Sequence, residues 1–427
     1  MHPRWSRRRP GARPAARACA RLAAALALCA GLAGCGSGAK ATAAREGPQT
    51  SCQATVVEDL ARVVKRVYRE GVHSERTVVA ERYIDRSAPL AQAVAAGNAA
   101  AAQAAAQQLV ATGKLTNLRV LRAGALLAEA GGPALAPIYG SLGKPGGAAG
   151  TYVTSVWSDE GFLAEAQGIS SSAIALRAGD RNIGGSFALP VRKLPHEGSI
   201  VVGGVPYEYA SFGATAFPDG AIRVYLVRSI ASTAEVCAPT REQTTYETLS
   251  RIARLIYEGE AGKRTQPQVQ RVQHNAALLA AVAKSEPLAA RKAVELLLHE
   301  HIVRLRVYDA AGKLLVDDGG PYVLAPVSAP LIQGGRKIGH FVLSIQDDEG
   351  YLRLTRRLAG LRVLMYMNSP SGERALVKNS LGPEPGSVPE RGRYSYRGAT
   401  YQVYTVHAQA FPSGPLTINV LIPVPYT

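Results

Sequence analysis

The sequence predicts an α+β protein built twice along one chain, and three observations carry that expectation. Residues 152–162, YVTSVWSDEGF, return as FVLSIQDDEGY at 341–351. Each copy opens on apolar residues at helical spacing. Each copy closes on alternating segments joined by a turn that bears Pro and Gly.

The self-similarity is collinear. Tyr68-Arg69-Glu70-Gly71 answers Tyr257-Glu258-Gly259, and LRVLRAGALLAEAGGPALAP (118–137) answers LRVYDAAGKLLVDDGGPYVLAP (305–326). Gly204-Val205-Pro206-Tyr207 answers Gly398-Ala399-Thr400-Tyr401, and AFPDG (216–220) answers AFPSG (410–414). Units of this length are domains rather than solenoid repeats. The expected division is a leader at 1–34, a tether at 35–51, and domains at 52–237 and 238–427.

The leader comes first. Seven arginines between Arg4 and Arg21, no acid, and the apolar run at 22–34 make a secretory signal. Leu32-Ala33-Gly34-Cys35 comes next and resembles the bacterial lipobox, which implies cleavage before Cys35 and its lipidation. The alternative is plain secretion with Cys35 discarded. Acyl chains contribute about 0.8 kcal/mol per buried methylene, so the lipid bilayer becomes a partner through Cys35. The expected place is the outer face of the bacterial cytoplasmic membrane. The small, polar stretch 36–51 reads as a flexible tether.

The leader also bears on charge and cysteines. The whole chain carries +17. Without the seven leader arginines, 42 basic residues face 32 acidic ones, a balance of +10. That favours anionic lipid or cell-wall polymers. The charges are scattered rather than clustered with aromatics, so nucleic acid is not an expected partner. Cys52 and Cys237 remain as a pair that an oxidising compartment allows to bridge. Two free thiols are the alternative.

Within each copy the elements run in one order. Val56, Val57, Leu60, Val63, Val64, Val67 and Tyr68 mark an amphipathic helix, as do Tyr246, Leu249, Ile252, Ile256 and Tyr257. A second helix is expected over 87–111 and over 276–299. Strands come next at 117–122 and 303–308, with turns at Ala123-Gly124 and Ala311-Gly312. Further strands are expected at 151–157 and 340–346, and at 360–367. A closing hairpin pairs 206–214 with 221–229, and 400–408 with 416–424, around Pro218-Asp219-Gly220 and Pro412-Ser413-Gly414. Helices followed by antiparallel strands give the α+β class.

The stretches LRVYDAAGKLLVDDGG and IGHFVLSIQDDEGYLRLTRRLAGLRVLMY resemble the PDC/Cache class of extracytoplasmic sensor domains. The resemblance implies two tandem PAS-like (Cache) domains, each with long N-terminal helices and a central antiparallel sheet. It also implies a small ligand, such as an amino acid, carboxylate or amine, on one face of that sheet. The family passes its signal through a membrane helix to an effector. Here Thr427 lies close after the last expected strand, so the output is expected to pass through a membrane signalling partner. The family's amino-acid signature is absent, and amino-acid binding is not carried over.

Asp347, Asp348 and Glu349 are consecutive and cannot converge on one metal ion, so they read as a strand-end turn, with Asp159 and Asp348 capping the next segment of each copy. Asp159 and Asp348 are also ligand candidates. Ser155 and Trp157 share one strand face, and Ser344 and Gln346 the matching one. These four, with Tyr207, Tyr209, Tyr401 and Tyr404 on the hairpins, are the expected ligand contacts. His299-Glu300-His301 lacks the spacing of a metal motif. No nucleophile elbow, phosphate loop or Cys-x-x-Cys occurs, so neither catalysis, metal nor cofactor is expected. The reading is a membrane-anchored small-molecule sensor. The alternative is a non-catalytic envelope scaffold on the same duplicated fold. A polar pocket under 206–214 and 400–408 separates the first from the second, which needs a solid apolar face.

Overall fold

The computed structural model describes residues 51–143, 149–262, 265–298, 301–320, 323–368, 374–411 and 414–426. The leader, Cys35, almost all of the tether, His299-Glu300 and Pro412-Ser413 lie outside the described residues.

The first repeat opens with α1 (Cys52–His73), whose Ser51 side chain caps it by accepting from the Ala54 amide at 3.1 Å. Val56, Leu60, Val63, Val64 and Val67 form its buried stripe. Each such side chain contributes about 1.5–3 kcal/mol by burial. The expected second helix is three: α2 (Glu75–Asp85), α3 (Ala88–Ala96) and α4 (Ala99–Ala111). The breaks are chemical. Ser87 and Asn98 cap new helices, and Gly97 ends α3 at φ 68°.

The strands then alternate between two sheets. β1 (Asn117–Arg122), β2 (Ala125–Gly131), β4 (Ile138–Leu142) and β5 (Gly150–Ser155) form a four-stranded sheet in the order β2-β1-β5-β4. β3 (Ala134–Leu135), β6 (Trp157–Ser158), β7 (Ala173–Ala178), β8 (Arg181–Gly185), β10 (Val205–Phe217) and β11 (Gly220–Ser229) run β6-β3-β10-β11-β7-β8 in a seven-stranded sheet. Its remaining strand, β9 (Glu197–Val202), pairs with β10. Helix α5 (Asp159–Ser170) lies between β6 and β7, and the short α6 (Ile230–Ala234) closes the repeat.

The second repeat has the same plan. Its helices are α7 (Arg241–Ala261), α8 (Gln266–Gln273), α9 (Ala276–Ala283), α10 (Pro287–Leu298) and α11 (Asp348–Ala359). The four-stranded sheet contains β12 (Arg304–Asp309), β13 (Leu314–Gly319), β15 (Val327–Gln333) and β16 (Arg336–Ser344). The seven-stranded sheet contains β14 (Val323–Leu324), β17 (Gln346–Asp347), β18 (Arg362–Asn368), β19 (Arg374–Asn379), β20 (Gly392–Tyr396), β21 (Ala399–Phe411) and β22 (Gly414–Val424). Both sheets repeat the strand order of the first copy. The class is therefore α+β with two PAS-like units, each of whose central antiparallel sheets is joined by a smaller one.

Both closing hairpins form over the expected segments, the second in the expected register, with Thr400 opposite Val424, and the first shifted by one residue, with Tyr207 opposite Ser229. A tyrosine pins each to its long helix. Tyr68 Oη accepts from the Thr215 amide at 2.8 Å, and Tyr257 Oη accepts from the Gln409 amide at 2.9 Å.

Helices α5 and α11 fall where no helix was expected. They explain the acidic cluster. Asp347 is the N-cap of α11, accepting from the Gly350 amide, and Ser158 does the same for Gly161 in α5. The cap is thus one residue before Asp348 and Asp159, which occupy the first turn, where the helix dipole favours carboxylates.

The repeats share one core. Residues of α1, α5, α7 and α11 bury against each other and against both seven-stranded sheets. The helices α1 and α7 start side by side, with Arg241 paired to Glu58 at 2.7 Å. The disulfide Cys52–Cys237 closes at that same end, with Cα atoms 5.5 Å apart. Among the described residues no helix is long and apolar enough to cross a membrane.

Candidate functional site

Each seven-stranded sheet has an inner face on the shared helical core and an outer face. In the first repeat the outer face lies under the segment 186–196, whose Phe187, Leu189 and Leu194 pack on Ile200, Tyr207, Tyr209, Tyr225 and Val227. Tyr207 and Tyr209 share this face because strand side chains alternate. Tyr207 stacks edge-on against Phe187, with ring centroids 4.9 Å apart.

Two arginines enter this otherwise apolar layer. Arg177, on β7, is 1% exposed. Its Nη2 donates to the carbonyl oxygens of Asp180, at 2.5 Å, and Arg192, at 3.1 Å. Among the described residues its Nε is buried with no partner, as are Arg192 Nε and Nη2 and the Tyr209 hydroxyl. Asn182 donates through Nδ2 to Leu189 O at 2.8 Å, while its buried Oδ1 has no partner among the described residues. The Arg177 guanidinium lies 5.8 Å from the Tyr225 ring, which in turn lies 5.8 Å from the Tyr209 ring. The nearest carboxylate to Arg177 is Asp180, 4.0 Å away and 60% exposed.

Buried donors without acceptors are costly, at about 1–3 kcal/mol each and more for charged groups. Here several gather on one face, with one unpartnered acceptor beside them. A carboxylate answers the donors with two oxygens and several lone pairs. Burial pushes the Tyr209 hydroxyl up to about 12, with Tyr225 adding and Arg192 opposing. It therefore remains a neutral donor at physiological pH. Burial also pushes Tyr225 up, against the pull of Arg177 and Arg223.

Among the described residues the second repeat has no buried arginine and no buried, unpartnered tyrosine hydroxyl in this layer, although Asn419 there is buried with its Nδ2 unpartnered. Its outer face is Leu364, Val388, Val403 and Leu421, with Tyr366, Tyr394 and Tyr401 alongside. Tyr366 pairs with Thr417 on β22, as Arg177 pairs with Arg223 on β11. By the same register Tyr209 becomes Val403, and Tyr225 becomes Asn419.

The remaining expected contacts scatter. Tyr401 packs on the apolar outer face, whereas Tyr404 points to the opposite one. There its hydroxyl meets Glu247 Oε1 at 3.4 Å and Arg391 covers its ring, in a groove of about 450 Å³ beside α7. Ser155 and Ser344 are buried and committed to the framework. Their hydroxyls donate to Leu135 O and Leu324 O, and accept from the Trp157 amide at 3.0 Å and the Gln346 amide at 3.2 Å. They staple the end of one sheet to the other, and the proton of each hydroxyl is committed there. Burial, then Asp219 and Glu160, push the Asp159 carboxyl up. Asp348 is buried and pairs with Lys378 at 3.3 Å. Trp157 and Gln346 come together from the two repeats to line one cleft. Among the described residues no three His, Cys, Asp or Glu side chains are placed to hold a metal.

Trp157 packs on α1 through a glycine. A Cβ at Gly71 would lie 2.2 Å from Trp157 Cδ1 and 2.8 Å from Ala136 Cβ. Gly71→Ala is therefore expected to displace the indole and cost about 2 kcal/mol. The chain has two tryptophans, the other being Trp5 in the leader. A red-shifted emission with a lowered melting temperature is the expected result, and unchanged emission would contradict the packing.

Arg177 and Arg192 were not legible as site residues. The available signal was a lone arginine in the strand AIALRA, set against tyrosine in the matching RVLMYM.

No protein-family model matches the chain, and no curated protein matches it. Among solved structures it is similar to an extracellular ligand binding receptor from Desulfohalobium retbaense, at 10% identity and a TM-score of 0.26. That match covers 52% of this chain and 46% of the receptor, so the chain spans under half of that protein. It is also similar to the ligand-binding domain of the Pseudomonas fluorescens chemoreceptor CtaA. The complex with L-isoleucine gives 12% identity, a TM-score of 0.26, and coverage of 43% of this chain and 96% of that one. The complex with L-serine gives 13%, 0.25, 42% and 99%.

Proposed function

We propose that the chain is an extracytoplasmic binding protein for a small carboxylate, held on the outer face of the cytoplasmic membrane through lipidated Cys35. The observation that carries the binding role is the buried outer face of the first repeat. There Arg177, Arg192 and Tyr209 present donors that no described residue accepts. Asn182 Oδ1 asks in return for a donor, which favours a hydroxy or amino acid over a plain one. The leader and the disulfide support the compartment, since structural disulfides persist in oxidising surroundings.

The second repeat supports a different role in the same molecule. Its outer face is mostly apolar and lacks the arginine cluster, so residues 238–427 serve mainly as a scaffold to which 52–237 adds the ligand. The shared helical core would carry a change in the first repeat to the second, and from there to a membrane partner.

The test is a thermal-shift screen of the purified protein against hydroxy acids, amino acids, dicarboxylates and amines. A rise in melting temperature with one class of carboxylate, and none with amines, is expected. Stabilisation by amines alone, or by nothing in the set, would overturn the reading.

A further inference from the structure

At the end of α1 opposite the disulfide, the repeats bound a cleft of about 1040 Å³. Ligand sites favour such junctions between packed units. Matching positions of the duplicated sequence line it, Trp157 from the first repeat and Gln346 from the second. The described chain satisfies neither side chain. Gln346 is 5% exposed, and its Oε1 is buried without a partner among the described residues. Trp157 Nε1 is likewise buried and unpartnered among them. Buried polar groups are ordinarily hydrogen-bonded. Gln346 Oε1 can only accept and the indole N–H can only donate, so the cleft asks its occupant for a donor and an acceptor together.

The charged side chains of the cleft come in both signs. Glu70 is paired with Arg357 across the repeats. Glu75 and Asp347 stand against Arg76, Lys114 and Arg353. Neither an anion nor a cation meets a single sign of charge here. A carboxylate brings acceptors only, and an ammonium brings donors only, so each leaves one of the two orphaned groups unanswered. A hydroxyl is donor and acceptor at once. An uncharged ligand with many hydroxyls can donate to Gln346 Oε1 and the carboxylates while accepting from the indole N–H, Lys114 and the guanidinium groups. A peptide backbone has both roles, but each of its groups plays only one of them. The volume stands at the upper end for small-molecule sites, which leaves room for several sugar rings.

We infer that this cleft binds a neutral oligosaccharide, with Gln346 accepting from one of its hydroxyls and Trp157 donating to another. The site lies apart from the outer face of the first repeat and does not rest on the carboxylate reading.

The full chain should be titrated by calorimetry with N-acetylchitohexaose, cellohexaose and maltohexaose, and with hexaglycine, spermidine and poly-L-glutamate for comparison. At least one of the three sugar chains is expected to bind, with nearly the same affinity at low and physiological salt because the ligand carries no charge. Tightest binding of the amino-sugar chain would assign the site to a wall glycan, and of a glucose chain to a free oligosaccharide. Gln346→Leu should lose about tenfold, and Trp157→Phe, which keeps a ring and removes the N–H, about fivefold. Arg177→Met should bind sugar like the parent, which keeps this site distinct from the first. Failure of all three sugars to bind, tighter binding of hexaglycine, spermidine or poly-L-glutamate than of every sugar, or an unchanged affinity in Gln346→Leu would each overturn the inference. If Gln346→Leu melts lower than the parent, Trp157→Phe decides, and an unchanged affinity there overturns it.

Discussion

Arg177→Met is expected to abolish carboxylate binding while barely touching the fold. A buried, charge-assisted pair loses about 2–5 kcal/mol when one partner is removed, so affinity should fall by about 100-fold or more. Stability should move by no more than about 1 kcal/mol, because two terms oppose. The backbone oxygens of Asp180 and Arg192 lose their donor, at about 1 kcal/mol each. Against that, a fully buried guanidinium is removed whose nearest carboxylate is 4.0 Å away and largely exposed. The second repeat already carries an uncharged residue, Tyr366, at the matching position. The measurement is a pair of melting curves, with and without the best ligand of the screen. An undiminished ligand shift in the variant would move the site elsewhere.

The second large effect concerns the Cys52–Cys237 bridge. It joins residues 185 apart in sequence. A loop of that length is constrained in the unfolded chain by about 5 kcal/mol in the entropy model, and measured bridges commonly give about 2–5 kcal/mol. Cys52→Ser/Cys237→Ser is therefore expected to lower the unfolding free energy by about 3–5 kcal/mol. The bridge ties the start of α1 to the segment leading into α7, at the base of the core that both repeats share. Denaturant titration of the oxidised protein, the reduced protein and the double variant checks this. A loss under about 1 kcal/mol in both would show that the shared core alone holds this end.

How much of the fold was readable differs by element. The duplication, the long helices and the hairpins were legible because their signals are local: period 3.6 on Val56 to Val67, period 2 beside a Gly turn. Helices α5 and α11 were missed because their caps, Ser158 and Asp347, sit where a strand end blends into a helix start. The division into two sheets was missed because alternation specifies a strand and a face but names no partner. β5 and β6 are separated by one residue and belong to different sheets, so Ser155 and Trp157 part company there. Tyr401 and Tyr404, an odd and an even residue of β21, lie on opposite faces as alternation requires.

The site followed the same division. Tyr207 and Tyr209 were expected as ligand contacts, and their two-residue spacing places them on one face. Trp157 and Gln346 were singled out as contacts of separate pockets, and the packing of the repeats brought them to one cleft. Arg177 and Arg192 carry no local pattern at all. Period and composition specify which residues are buried and in which element, because those depend on neighbours along the chain. Whether a buried arginine meets a carboxylate, a backbone oxygen or nothing depends on segments brought together by folding. The pairing of donors with acceptors across the outer face could therefore be read only from the folded chain.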